Sequence, residues 1–211
     1  MMDPPPPKDL IVLVADKNQE HAIRGILSRH RSLGVPELSA DVYAHPHRDP
    51  GCLLRGHEFL RPFTRQYAHA LLLLDREGSG REDSPPRTLE EEIESRLRSS
   101  GWGERAAAVV LEPDLEVWVW SDSPIVAATL GWAGRTPPLH QWLLAQGHLQ
   151  EGQTKPSRPK KALEEALRIA QKHRSSAIFS ELARKVSMAR CADAAFLKLK
   201  RTLRTWFGPP N

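Results

Sequence analysis

Cysteine is scarce: Cys52 and Cys191 are the only two in 211 residues, too few for a disulfide framework. A chain of this length buries roughly 70% of the surface its unfolded form exposes, so it needs neither a disulfide nor a metal to hold a core. Both are therefore expected to be free thiols. No run approaches eighteen apolar residues, which excludes a membrane-spanning helix. The opening MMDPPPPKDL lacks a basic n-region and an apolar h-region, and with the scarce cysteines it predicts a cytoplasmic location. Gly78-Ser-Gly80 is not followed by Gly-Lys-Ser/Thr, and no Gly-x-Ser-x-Gly occurs. A P-loop and an α/β-hydrolase nucleophile are thus both missing. No repeat recurs at a solenoid period. What is present is 40% hydrophobic and 27% charged, with 18 prolines and 13 glycines, globular proportions for one domain, or one plus an appendage.

The net charge of +4 is unevenly spread: residues 1–150 carry a net −5 and residues 151–211 a net +9. An acidic body joined to a basic segment suits a metal in the first and phosphate contact in the second. Solvated helix faces would give the same balance.

A proline-rich lead-in covers residues 1–8, with Pro4 to Pro7 extended. Three short apolar runs, Leu10–Val14, His69–Leu74 and Ala106–Leu111, read as buried parallel strands, and Asp41–Ala44 is a weaker fourth. Between the strands, Ala22, Ile23, Ile26 and Leu27 recur at helical spacing. Ser32 to Pro62 reads as loop-rich, with His45 to Gly51 inside it, and residues 57–67 as a helix interrupted at Pro62. Thr88–Ser99 reads as a helix in which Thr88 and Glu91 form a capping box and Gly101 is the stop. Short helices are predicted near Leu115 and over Leu139–Gln146. Three more carry the stripes Ala162/Leu163/Ala166/Leu167/Ala170, Ile178/Phe179/Leu182/Ala183/Val186 and Phe196/Leu199/Leu203/Trp206. The predicted fold is α/β: an open, mostly parallel sheet flanked by helices over 9–150, with a C-terminal basic helical appendage over 151–211.

In such sheets ligands sit at the carboxyl ends of the strands, and all three apolar runs are followed by acids. Asp16 and Glu20 follow the first, Asp75 and Glu77 the second, and Glu112, Asp114 and Glu116 the third. Carboxylates brought together repel unless a cation neutralises them, and an oxygen-only donor set suits Mg2+ or Mn2+. With such an ion a cluster can catalyse in-line displacement at a phosphodiester, the chemistry of a nuclease. Acids at strand ends also serve as helix caps.

A strand ending in an acid, a helix with a second acid four positions on, and a later strand ending in acid-x-acid together resemble the Toprim fold of topoisomerases, primases and overcoming-lysogenization-defect nucleases, over roughly residues 9–125. The phrases His47-Arg-Asp-Pro-Gly-Cys52, Asp75-Arg-Glu-Gly-Ser-Gly80, Glu112-Pro-Asp-Leu-Glu-Val-Trp-Val-Trp-Ser-Asp122 and Cys191-Ala-Asp-Ala-Ala-Phe-Leu-Lys-Leu-Lys200 resemble a prokaryotic Toprim-like family of methylation-associated phage-defence systems, over nearly the whole chain. That resemblance implies an antiphage-defence protein, a divalent-metal-dependent nuclease or the nucleic-acid-engaging subunit of a larger defence complex, with Asp16, Asp75 and Glu77 as metal ligands and Asp16, Glu20, Asp75, Glu77 and Glu116 as catalytic acids. Asp16 stands where the family usually has glutamate, and Glu77 where it has aspartate, departures that put an intact metal site in question.

His47, Arg48, Arg76, Lys155, Arg158, Lys160 and Lys161 are the expected contacts to a phosphate backbone. His45, His47, Asp49 and Cys52 could ligate zinc, but no second knuckle accompanies them. Trp118, Trp120, Trp132 and Trp142 could stack bases, though their apolar neighbours favour packing. The expected partners are DNA or RNA, other defence-system proteins and further copies of the chain in a homo-oligomer, with no membrane. The alternatives are a non-catalytic Toprim-like sensor or interaction subunit with a degenerate metal site, and a small-phosphoester hydrolase.

Overall fold

The computed structural model describes residues 7–189 and 191–209. Most of the proline-rich lead-in, including Pro4 to Pro6, lies outside the described residues. Strands β1 (Lys8–Val14), β2 (Ala40–Ala44), β3 (Tyr67–Asp75) and β4 (Ala106–Leu111) form one sheet in the order β2-β1-β3-β4, and every pair is parallel. The helices are α1 (Lys17–Leu27), α2 (His30–Leu33), α3 (Arg48–Leu60), α4 (Pro86–Leu97), α5 (Pro124–Thr129), α6 (Leu139–Ala145), α7 (Pro159–Ala170), α8 (Ser176–Lys185) and α9 (Ala194–Phe207). Among the described residues no helix is long and apolar enough to cross a membrane. Cys52 and Cys191 are free thiols.

The strands are continuous apolar runs because helices cover both faces of the sheet. Alternation along β1 sends Leu10, Val12 and Val14 to one face, where they pack with Ile23 and Ile26 of α1. It sends Ile11 and Leu13 to the other, against Leu53 and Leu60 of α3 and Leu89, Ile93 and Leu97 of α4. The basic C-terminal helices form an appendage only in sequence order: Leu163 of α7, Phe179 of α8 and Leu203 of α9 belong to the same buried cluster as Val12.

Two boundaries differ from expectation. The segment read as a loop from His45 and a helix from residue 57 is one helix, α3, which starts at Arg48 and ends in a 3-10 turn at Arg61–Phe63. Its apolar periodicity is masked by Gly51 and Gly56, which the fold requires. A Cβ at Gly51 would stand 2.1 Å from the His45 ring, and one at Gly56 2.3 Å from Leu72 of β3. Helix α4 begins at Pro86 rather than near Thr88, without a side-chain cap, because proline at the first helical position already has the φ a helix needs. Gly101 does mark the stop, with φ at 102°.

Helix α1 meets α8 closely at Gly25, where a Cβ would lie 2.7 Å from Ala183 Cβ and 3.2 Å from the Ser180 carbonyl oxygen. Alanine there gains about 1 kcal/mol of helix propensity. Neither opposing atom can rotate away, so the overlap of about 1–3 kcal/mol prevails. Gly25→Ala is expected to destabilise the protein by about 1 kcal/mol net, read as a lower urea midpoint at unchanged m-value.

Side chains engage outward backbone groups on both edges of the sheet. On β4 the outward Val110 N–H donates to Glu90 Oε1 and the Ala108 N–H to Glu94 Oε1, each at 3.0 Å. Lys198 of α9 stands 2.9 Å from a carboxylate oxygen of each glutamate. On β2, Arg24 Nη2 donates to the outward Val42 carbonyl at 2.8 Å.

Candidate functional site

From β1 the chain runs through α1 to β2 on one side and then returns to β3 on the other. The strand order therefore reverses between β1 and β3, and a crevice opens there at the carboxyl ends. A cleft of about 520 Å³ occupies this position, and Asp16, Asp49, Asp75, Glu77, Asp114 and Glu116 line it together with Arg48, Lys160 and Arg174.

Each acid is placed by a local cause. Asp16 caps α1: its Oδ1 accepts from the N–H groups of Asn18 at 2.9 Å and Gln19 at 3.0 Å, while its Oδ2 pairs with Arg48 at 3.1 Å. Asp49 lies in the first turn of α3, and its Oδ1 accepts from the Asp75 N–H at 2.8 Å. Gln19 is 1% exposed and ties the ends of β1 and β3 together. Its Oε1 accepts from the Ala15 N–H at 2.9 Å and its Nε2 donates to Asp75 Oδ1 at 2.8 Å. The 3-10 turn at Leu115–Trp118 carries Glu116, which is 2% exposed and pairs with Arg174. Asp114 is also 2% exposed, and neither of its carboxylate oxygens meets a hydrogen-bond donor among the described residues.

Crowding sets the electrostatics. Burial, with Glu116 and Glu77 nearby, pushes the Asp114 carboxyl up to about 7. Burial, followed by Asp49, Glu116, Asp114 and Asp16, holds Asp75 well above the usual carboxylate range. Burial also raises Asp49 and Glu116, the latter opposed by Arg174, and raises the Cys52 thiol, which the cleft acids push further up. A fold that gathers this many carboxylates works against its own stability unless a cation or protons join them.

The predicted site residues divide. Asp16, Asp75, Glu77, Glu116, His47, Arg48 and Lys160 line the cleft. Glu20 does not; it pairs with Arg24 one turn along α1 at 3.0 Å. Arg76 pairs with Glu112 at 3.1 Å outside the cleft lining. Lys155 faces Asp193 at 3.8 Å on a different cavity, while Arg158 and Lys161 are exposed and line neither. Of the four side chains considered for zinc, two are engaged elsewhere: the His45 ring nitrogen Nδ1 accepts from the His47 N–H at 3.1 Å and Asp49 Oδ1 from the Asp75 N–H at 2.8 Å, while His47 lines the acidic cleft and Cys52 is buried. The indoles of Trp120 and Trp132 donate to the carbonyls of Pro159 and Ala166, as packing residues do. Gln19 and Arg174 belong to the site without having been singled out; the sequence marks Asp114 only as one of the acids after the third strand, with no role of its own, and Asp49 only as a zinc candidate.

The donor set is oxygen-only, and the unpartnered carboxylate of Asp114 fits a hard divalent cation in chemistry. Among the described residues, no three His, Cys, Asp or Glu side chains stand close enough together to hold one ion as placed. No family model, no curated protein and no solved structure matches the chain.

Proposed function

We propose that the chain is a divalent-metal-dependent nuclease whose acidic cleft hydrolyses phosphodiester bonds of DNA or RNA. The observation that carries this reading is Asp114, buried with both oxygens undonated, inside a cleft where acids from the ends of three parallel strands meet three basic side chains. Asp16, Asp75 and Glu77 would hold Mg2+ or Mn2+, with Asp114 and Glu116 beside them. Such an ion supplies Lewis-acid stabilisation of phosphoryl charge and a more acidic water. The chain's own bases supply the rest: Arg48, Lys160 and Arg174 offer positive charge to a phosphate at the same cleft. Membership of the Toprim-like family and a role in prokaryotic antiphage defence, in the cytoplasm with other defence proteins, rest on the sequence phrases given above. The open parallel sheet with acids at its switch point accords with them.

A second reading is favoured by two ion pairs. Arg48 on Asp16 and Arg174 on Glu116 already neutralise two of the acids, as they would in a non-catalytic sensor or interaction subunit with a degenerate metal site. Calorimetric titration with Mg2+ and Mn2+, run beside cleavage of plasmid and single-stranded oligonucleotides, separates the two. Saturable metal binding with metal-dependent cleavage is the expected result. A wild-type protein that binds neither ion and cuts no substrate overturns the nuclease and leaves the interaction subunit.

A further inference from the structure

A second cavity, of about 450 Å³, lies on the other side of the Leu115–Trp118 turn from the acidic cleft, and Leu115 lines both. Its walls come from α1, α8, the start of α9 and the turn itself, with Ala22, Ile26, Phe179, Leu182 and Phe196 forming an apolar interior and Trp118 a flank. The volume is in the range of small-molecule sites, which are mostly apolar with a few convergent polar groups that set orientation.

Two charged groups at the mouth differ in how far they are committed. Asp193 caps α9: its Oδ1 accepts from the Phe196 N–H at 3.0 Å and from Trp118 Nε1 at 2.8 Å. Lys155 is half-buried and makes no hydrogen bond among the described residues; its ammonium is 3.8 Å from the other Asp193 oxygen, an ion pair without a hydrogen bond. The group with donors to spare is therefore the cation. Asp122, the other acid of the lining, is exposed to solvent, where its charge is screened.

We propose that this cavity binds a small amphipathic anion, a ring or alkyl body seated among Ala22, Phe179 and Phe196 with a carboxylate, sulfonate or phosphate head on Lys155. The apolar body gains by leaving water, and the head completes the hydrogen bonding of a partly buried ammonium. The acidic cleft, with six carboxylates, repels the same ligand, so this site is independent of the nuclease reading. It also gives Lys155 a role apart from the phosphate backbone.

The test uses the full chain and 8-anilinonaphthalene-1-sulfonate, whose emission rises in an apolar site, with decanoate as competitor. Saturable one-to-one binding that decanoate displaces is expected. Lys155→Met, which keeps an unbranched apolar stem and removes the charge, should weaken the probe about tenfold or more, as loss of one charge-assisted hydrogen bond does. Ala22→Phe, which fills the interior, should abolish binding. Cooperative unfolding and unchanged near-ultraviolet dichroism separate this from the non-specific binding of a loosened fold. No saturable binding by the native protein, or equal affinity in Lys155→Met, overturns the proposal. The Lys155 result stands by itself should Ala22→Phe fail to fold.

Discussion

Asp75→Asn is expected to lower metal-dependent cleavage by about 10³-fold or more, a loss on the order of 4 kcal/mol of transition-state stabilisation, while leaving the metal-free fold at least as stable as wild type. Both effects come from the same position. Asp75 ends β3 at the switch point, where burial, and then the nearby Asp49, Glu116, Asp114 and Asp16, oppose its charge in the absence of a cation. Asparagine keeps an oxygen to accept from Gln19 Nε2, the bond that ties β3 to the end of β1. It removes the charge that a metal needs and that the empty fold resists. Cleavage rates in Mg2+, compared with thermal melts in chelator, read the two effects separately. Full cleavage by the variant would place the chemistry elsewhere; lost cleavage with a much lower melting temperature would make Asp75 a structural residue.

The second large effect concerns pH. Asp114 titrates near the ordinary 3.8 in the unfolded chain and at about 7 in the fold. Between those values the folded protein holds a proton that the unfolded chain has released, so stability falls as pH rises through that window and levels off above it. Other acids contribute with the opposite sign. Asp41, whose pKa is lowered chiefly by its hydrogen bond from Lys8 and also by Tyr67, stabilises the fold at higher pH and loses that contribution on acidification. The clean quantity is therefore the difference between wild type and Asp114→Asn. Between pH 4.5 and 7.5 the wild-type melting temperature should fall relative to the variant by about 5 °C, and Mg2+ should flatten the wild-type curve. Parallel curves in chelator would show that Asp114 carries no burden in the fold.

What could be read from the chain follows from which physical signals are local. Strands β1, β3 and β4 were legible because strands buried on both faces are unbroken apolar runs, and α7 to α9 because each has a clear apolar stripe. Helix α3 was not, since Gly51 and Gly56 answer to His45 and Leu72, partners that no window of sequence contains. The same holds for the site. Asp16, Asp75 and Glu116 stand at strand ends or in the turn that follows, and that placement can be inferred. Arg174 reaches Glu116 across 58 residues and reads, in sequence, as one more solvated base before a helix. Gln19 looks like a helix-surface residue until β3 is known to run beside β1. The run from Lys155 to Lys161 looks like one basic strip, yet the fold turns Lys155 to one cavity and Lys160 to another.

The glutamates beside β4 bear on how copies of this protein can meet. A strand added to a sheet needs a row of free outward N–H and C=O groups. On β4 Glu90 and Glu94 already occupy two of those donors, with Lys198 balancing their charge, and on β2 Arg24 holds an outward acceptor. Pairing edge to edge would require breaking charge-assisted bonds before any new ladder formed. Self-association of this chain, where it occurs, is thereby steered away from sheet continuation and towards contact through its helical layers.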